Sequence, residues 1–188
     1  MKTFEIPFTR NQSKNIIDKK HLNNALQYVY WCAEKRNFVL TDGHKLIIVK
    51  PINSKSVFPP ESVLIPVDAL CSTQKQIHIT EYYVQDSTLV RVCNETGSIK
   101  KYACGSYGYP KYQNIMPKAE TGKPLQNIAF NPLIIAGVGK FLKPFGITSI
   151  KFEFFDTAKP VYFEPTDGLK NEFYEFSGIV MPMIINQY

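Results

Sequence analysis

The sequence predicts an α+β fold in which helices pack on one face of antiparallel sheets. Two observations support this prediction. Short segments with the alternating or β-branched pattern of strands recur along the chain, and each group of them follows a segment with the cap or the apolar spacing of a helix. The order of one strand, one helix and several strands occurs three times in 188 residues. We therefore expect three repeats of one structural unit.

The first unit is predicted to open with a strand at residues 3–6. Asp18 is a candidate N-cap for a short helix. Leu22, Ala25 and Leu26 follow at helical spacing and are expected to face the core, which would turn the intervening lysines outward. Three strands are then predicted at Tyr28–Cys32, 37–40 and 45–49, with turns at residues 33–36 and 42–43.

The second unit is predicted to open with a strand at residues 63–65. Pro66 suits the start of a helix, and the sequence leaves room only for a short one, through Leu70 and Cys71. The strands that follow are predicted at residues 76–83, 89–93 and 99–104.

The third unit is predicted to open with a strand at residues 127–130, followed by the clearest helix signal in the chain. Asn131 is an N-cap residue and Pro132 suits the first helical position. Pro144 and Gly146 end this helix. Its core-facing residues are predicted to be Ile134, Val138, Phe141 and Leu142. Strands are predicted at residues 149–155, 159–163 and 176–183, with an exposed loop at 165–171.

A segment rich in Pro, Lys and Gly at residues 109–122 is the best candidate for a domain boundary. We expect a first domain at residues 1–117, built from two units, and a half domain at residues 118–188, built from the third. A chain with 44% hydrophobic residues is long enough to bury a substantial core in this arrangement.

The composition places the protein in the cytoplasm. The first ten residues contain charged side chains and a proline, so they lack the apolar core of a signal peptide, and no apolar run reaches the length that spans a membrane. The four cysteines are widely separated, without a Cys-x-x-Cys pair, and are interpreted as small buried hydrophobic residues in a reducing compartment.

The net charge of +6 and the pI of about 9.0 favour an acidic partner, of which nucleic acid is the commonest. The lysines and arginines are spread along the chain, and only residues 14–21 form a local cluster. An ordinary solvated surface explains the charge equally well.

No motif for catalysis or for metal binding is present. Asp42 and His44 lie two residues apart, His21 and His78 stand alone, and Cys104 precedes a glycine-rich turn, yet nothing orders these residues into a catalytic group. Asp42 and Gly43 are interpreted more simply as a hairpin turn. We therefore predict no catalytic residue, no cofactor and no metal, and rank a DNA-processing enzyme as the weakest interpretation.

The C-terminal segment from Val180 to Met183 contains two flexible thioethers beside a rigid proline. Such a segment is typical of an adaptable apolar docking surface, whereas a last core strand is the plainer interpretation. The residues alone leave both open.

Several segments occur in an order that is typical of one protein family. They are residues 40–46 (LTDGHKL), 62–66 (SVLIP), 105–112 (GSYGYPKY) leading to 115–117 (IMP), 130–132 (FNP), 155–161 (FDTAKPV) and 180–183 (VMPM). With these segments, the chain resembles the bacterial sliding clamp, the β subunit of DNA polymerase III, from about residue 38 onward. The resemblance implies a DNA-clamp-like fold without catalytic activity, in which residues 109–122 match a connector between domains.

The resemblance also implies a ring that slides on duplex DNA without reading its sequence. Basic helix faces would make loose, water-mediated phosphate contacts. Because this chain matches one family domain and half of the next, a ring would require a homo-oligomer joined head to tail through sheet edges. The candidate DNA-binding residues are Lys14, Lys19, Lys20, Lys75, Lys140 and Lys143.

The second implied activity is the capture of short linear peptides from DNA polymerase and repair proteins in a C-terminal hydrophobic groove. The tail departs from the family pattern, since Ile184 replaces a basic residue and the chain continues to Tyr188. The alternative is a clamp-related module from a mobile element that binds clamp partners as a decoy and does not slide. The groove residues carried over are Thr41, Gly43, His44, Lys45 and Leu46, with Pro117, and then Val180, Met181, Pro182 and Met183.

Overall fold

The computed structural model describes residues 3–52, 56–116, 128–155, 159–166 and 172–183. Within these ranges ten strands form two antiparallel sheets, with short helices packed against them, which confirms the predicted α+β class. The strands are β1 (Tyr28–Cys32), β2 (Asn37–Thr41), β3 (Lys45–Pro51), β4 (Val63–Pro66), β5 (Thr80–Gln85), β6 (Thr88–Cys93), β7 (Ile99–Ala103), β8 (Ile150–Glu153), β9 (Val161–Pro165) and β10 (Tyr174–Val180).

The larger sheet has seven strands in the order β4-β1-β2-β3-β10-β9-β8. Its central pairing joins β3 to β10, in a register that runs from Lys45 opposite Val180 to Pro51 opposite Tyr174. Strands of the first and third predicted units therefore share one sheet. The predicted domain boundary, at residues 117 and 118, lies outside the described residues and stays a prediction.

The smaller sheet has three strands in the order β5-β6-β7 and is linked to the larger one by an exchange of opening segments. Phe4 forms an isolated bridge with Tyr82 of β5, with both backbone hydrogen bonds at 2.9 Å. In return β4, which opens the second unit, pairs with β1 of the first. Each of these two units therefore contributes its first segment to the sheet of the other.

Three α-helices lie in the described ranges: α1 (Arg10–Ser13), α2 (Gln74–Ile77) and α3 (Pro132–Leu142). The start of α3 is as predicted, since the side chain of Asn131 accepts a hydrogen bond from the N–H of Leu133 at 2.9 Å. The helix ends at Leu142 and is followed by a 3₁₀ turn, Lys143–Phe145, which ends at Gly146 with a φ of +78°. Of the predicted core face, Val138, Phe141 and Leu142 are buried and Ile134 is partly buried.

The predicted helix capped by Asp18 is wrong. The helix lies earlier, where the side chains and backbone of Thr9 and Gln12 form a capping box around α1. Leu22 is 99% exposed, whereas Ala25 and Leu26 are buried within a short 3₁₀ turn at Asn24–Gln27. The side chain of Asn23 caps this turn by accepting a hydrogen bond from the N–H of Ala25 at 3.0 Å, so the turn begins after Leu22.

Several predicted strand boundaries also need correction. The predicted strand at residues 3–6 makes only the single bridge at Phe4, and the one at 127–130 only a bridge between Ala129 and Met183. Residues 74–77, part of which was predicted as strand, form α2, because Thr73 and Gln76 make a second capping box. The helix predicted after Pro66 is a 3₁₀ turn, Val67–Ala69.

The larger sheet carries apolar residues on both faces. Alternate strand residues such as Phe38 and Leu40 join the main core beneath the helices. Their neighbours join a smaller cluster on the opposite face, where the segment after β7 lies. That cluster consists of Cys32, Val39, Leu46, Tyr112 and Ile179, with Tyr30, Ile48, Tyr109, Met116 and Tyr162 packed against it.

Candidate partner-binding and DNA-binding surfaces

The turn between β2 and β3 is held by its own side chains. Asp42 Oδ1 accepts hydrogen bonds from the backbone N–H groups of His44 at 2.9 Å and Lys45 at 3.0 Å. Thr41 Oγ1 donates to the carbonyl of Lys45 at 2.7 Å and accepts from the N–H of Gly43 at 3.0 Å. Gly43 has a φ of +86°, which a residue with a side chain rarely adopts. The result is a fixed turn that exposes Gly43 and His44.

The C-terminal segment runs directly beside this turn. After β10, the N–H of Met181 donates to the carbonyl of His44 at 2.8 Å, and the N–H of Met183 donates to the carbonyl of Ala129 at 2.8 Å. Met181 and Pro182 are partly exposed and Met183 is 52% exposed. The structure thus brings together the two segments from which the sequence predicts a groove.

Two of the predicted groove residues face the helices. Val180 belongs to the main core and pairs with Lys45 across β3 and β10. Lys45 Nζ lies 2.5 Å from Asp42 Oδ2, with both side chains largely buried. A Cβ atom added to Gly137 of α3 would lie 3.2 Å from Lys45 Cε, so this lysine packs against the helix. Lys45 therefore holds the turn in place from the helix side.

Of the other predicted groove residues, two are buried and one lies outside the described ranges. Leu46 is 1% exposed and belongs to the small cluster on the outer face, and Thr41 is buried within the turn. Pro117 lies outside the described residues. Three cavities of about 470, 630 and 670 Å³ are lined by other parts of the molecule. Of the predicted groove residues in the described ranges, those that are exposed or partly exposed are Gly43, His44, Met181, Pro182 and Met183.

Tyr109 and Tyr112 cover the outer side of this region. In the sequence they were noted only as part of the segment 105–112 that resembles the family. The ring of Tyr109 stacks on that of Tyr30 with 4.3 Å between centroids. The Tyr112 hydroxyl donates to Asn37 Oδ1 at 3.2 Å, and burial raises the pKa of Tyr112 to about 12. The Tyr109 hydroxyl is buried and has no hydrogen-bond partner in the described part of the chain.

Four of the six predicted DNA-binding lysines lie on or beside the three helices. Lys14 caps the C-terminus of α1, Lys75 lies in α2, Lys140 lies in α3 and Lys143 follows α3, and all are exposed. The helices are joined through Gln12, which donates to the carbonyl of Phe141 at 3.2 Å and accepts from Gln74 Nε2 at 2.7 Å. These lysines therefore belong to one helical layer.

The remaining two, Lys19 and Lys20, lie in an exposed turn after α1. Lys19 Nζ is 2.6 Å from Asp68 Oδ1, and Arg10, which the sequence analysis missed, is 3.5 Å from the same oxygen. The hydrogen bond from Lys19, helped by Arg10, lowers the pKa of Asp68. Asp68 therefore offsets part of the positive charge at this end of the helical layer.

The turn chemistry argues against a catalytic pair at Asp42 and His44. One carboxylate oxygen of Asp42 binds backbone N–H groups and the other binds Lys45, so both serve the turn. Within the described ranges, no group of three or more His, Cys, Asp or Glu residues is arranged to hold a metal ion. In the same ranges, no helix has the length and apolar character needed to cross a membrane.

No family model and no curated protein matches the sequence. Solved structures do match. The Helicobacter pylori β clamp in complex with diflunisal superposes with a TM-score of 0.69 at 12% identity, covering 98% of this chain and 66% of that one. The Pseudomonas aeruginosa DNA polymerase sliding clamp gives 0.68 at 12% identity, covering 98% and 67%. The H. pylori β clamp bound to a DNA ligase peptide gives 0.65 at 14% identity, covering 98% and 65%.

These comparisons confirm the predicted structural resemblance to bacterial sliding clamps. The chain spans about two thirds of the length of the clamp chains that it matches. The described part of this protein therefore has the fold of the bacterial β clamp, the β chain of DNA polymerase III.

Proposed function

We propose that this protein is a non-catalytic, sliding-clamp-like processivity factor that holds DNA polymerase or repair proteins on duplex DNA. The observation that carries the proposal is the hydrogen bond from Met181 to His44, which sets the Met-Pro-Met segment against the exposed turn of β2 and β3. Flexible Met side chains beside a rigid turn suit a short apolar peptide. The peptide surface is then His44, Gly43 and residues 181–183, with Lys45 as a support.

The helical layer is the proposed DNA surface. Its exposed lysines are carried by backbone elements that one buried side chain, Gln12, holds together. Long, solvated lysine side chains neutralise phosphates without reading bases, as sliding requires. The residues proposed for this role are Lys14, Lys19, Lys20, Lys75, Lys140 and Lys143.

A ring on DNA requires more than one chain, because this chain covers about two thirds of a clamp subunit. The large sheet ends at β8 and the small one at β7, so a head-to-tail assembly through these edges is the proposed route to closure. We also propose that the protein works in the cytoplasm, consistent with four free cysteines. The division into residues 1–117 and 118–188 remains part of this proposal.

The test is the molar mass in solution, measured by light scattering over a concentration series with and without duplex DNA. A closed oligomer of fixed stoichiometry, retained on nicked circular DNA and lost from the same DNA after linearisation, is the expected result. A monomer at every concentration would overturn the ring. It would favour the alternative, a clamp-related module from a mobile element that binds clamp partners without sliding.

A further inference from the structure

Two clefts share Phe4 among their lining residues, and neither is lined by the turn of β2 and β3. The first, of about 630 Å³, is enclosed by the N-terminal segment, α2, the end of α3 and the start of β10. The second, of about 670 Å³, is enclosed by residues 57–63 and the hairpin of β5 and β6. Phe4 lines both and is itself only 1% exposed. The two clefts therefore share a wall at Phe4.

Both clefts have aromatic walls that are open to solvent in part. Phe145 and Tyr174 line the first with ring centroids 6.5 Å apart, and Phe173 at its rim is 53% exposed. The second is lined by the half-buried Phe58 and by Val57, which is 47% exposed. Each volume lies within the range of about 300 to 1,000 Å³ that is usual for binding pockets.

The charge of the clefts is opposite to that of the chain. Glu5 and Glu81 line the first, and Glu61 and Asp86 line the second. No Lys or Arg is among the described residues that line either cleft, although the chain has 22 Lys and Arg against 16 Asp and Glu. None of the salt bridges within the described ranges involves these four carboxylates.

We propose that the two clefts form one groove, here called the acidic groove, which binds a linear segment of a partner protein that carries Arg or Lys side chains. The aliphatic stem of a basic side chain packs on an aromatic ring while its cationic end reaches a carboxylate. Each of the two clefts contains aromatic rings and carboxylates together. The described lining residues include four carboxylates and no Lys or Arg, so the ligand proposed for the acidic groove is a cationic peptide and not a nucleic acid.

The position of Glu5 supports this pairing of surfaces. Burial, and then the negative charge of Glu5, raise the pKa of Tyr174 to about 12. The Glu5 carboxylate is therefore near enough to the Tyr174 ring to affect its ionisation, and both residues line the first cleft. A guanidinium or ammonium group placed there would meet an anion and a neutral aromatic ring together. The inference stands whether or not the protein slides on DNA.

The test is fluorescence anisotropy of the full chain with a labelled peptide of alternating arginine and leucine. The matched probe carries citrulline at each arginine, which keeps the shape and removes the charge. We expect the arginine peptide to bind at least about tenfold more tightly, since charge-assisted hydrogen bonds to the carboxylates are lost in the citrulline form. Equal binding of the two probes would overturn the inference without any variant being made.

Variants locate the site. The double substitution Glu5→Gln with Glu81→Gln is expected to weaken the arginine peptide about tenfold, whereas Glu34→Gln with Glu95→Gln removes the same charge elsewhere and is expected to leave binding unchanged. Equal losses in the two doubles would reduce the effect to net charge and sink the proposal. Self-association that is lost in the Glu5→Gln, Glu81→Gln double and kept in the Glu34→Gln, Glu95→Gln double would show that a second copy fills the acidic groove, and would also overturn the proposal.

Discussion

The side-chain amide of Gln12 donates a hydrogen bond to the carbonyl oxygen of Phe141 at 3.2 Å, joining α1 to the last turn of α3. Carbonyl groups at the end of a helix lack partners within the helix, so this bond satisfies a buried acceptor. Gln12 also accepts from Gln74 of α2 and from the N–H of Thr9. One buried side chain thus fixes the layer that carries the proposed DNA-binding lysines.

Gln12→Ala is therefore expected to lower the free energy of unfolding by about 2 kcal/mol, because several buried groups lose their partner at once. Urea denaturation measures this change. Gln85→Ala, at an exposed position at the end of β5, is the control and should have little effect. Similar stabilities for the two variants would show that Gln12 does not hold the layer.

Two glycines in α3 provide a matched pair. A Cβ atom at Gly137 would lie 2.7 Å from the backbone oxygen of Asn15 and 3.2 Å from Lys45 Cε, whereas one at Gly139 meets nothing within 4 Å. We expect Gly137→Ala to destabilise the protein by about 2 kcal/mol through overpacking. Gly139→Ala should stabilise it by up to about 1 kcal/mol, since alanine favours a helix. Equal shifts in Tm would contradict the close packing of α1, α3 and Lys45.

Two residues of the turn between β2 and β3 have different proposed roles: Lys45 supports the turn, and His44 contacts the peptide. Lys45→Met leaves the largely buried Asp42 without its cation and is expected to cost about 2 kcal/mol of stability, and to weaken peptide binding with it. His44→Ala should weaken binding of a short apolar peptide in the proposed groove while leaving Tm unchanged, because His44 is exposed. Calorimetry for binding and thermal unfolding for stability check the two. A His44→Ala protein that binds normally would contradict the proposed groove.

Asp68→Asn is expected to strengthen DNA binding, because it frees Lys19 and Arg10 for phosphates. The affinity for a random duplex, measured against salt concentration, should rise and depend more steeply on salt. Unchanged DNA affinity would remove Lys19 from the proposed surface.

The pKa of Asp68 is lowered in the fold, so the ionised carboxylate makes a small contribution to stability, about 0.5 kcal/mol at this exposed site. That contribution is present above the ordinary carboxyl pKa and is lost as the pH falls through the lowered value.

Stability should fall at high pH through the buried tyrosines. The pKa of Tyr112 is raised in the fold from 10.0 to about 12, so its neutral form stabilises the folded state fully below pH 10. That contribution is lost progressively as the pH rises from about 10 to 12. Unfolding free energies across this window measure the loss. In Tyr112→Phe the loss should be smaller, although the variant starts about 1 kcal/mol less stable because Asn37 loses its partner.

Several secondary-structure elements that short sequence motifs determine were predicted correctly. Asn131 and Pro132 fixed the start of α3, and the strands from Tyr28 to Pro51 were predicted to within two residues at each end. The helix assigned to Asp18 failed because apolar spacing alone does not distinguish an α-helix from a 3₁₀ turn. The capping box of Thr9 and Gln12 was the overlooked signal.

The candidate sites were predictable in part for a similar reason. Family resemblance paired residues 41–46 with 180–183, and the structure places them side by side. The inward direction of Lys45 could not be predicted, because β3 is apolar on both faces and its alternation does not reveal which face meets α3. The acidic groove depends on contacts among five separate segments, which no local pattern encodes.

The central place of β10 in the large sheet has a consequence for biosynthesis. A ribosome delivers β1, β2 and β3 early, yet one edge of β3 stays unpaired until β10 has emerged and docked. During that interval the apolar edge is open to pairing with other chains, and closing the sheet requires contacts between distant parts of the sequence, which form slowly. We expect nascent chains halted before β10 to depend on chaperones and to aggregate when released without them.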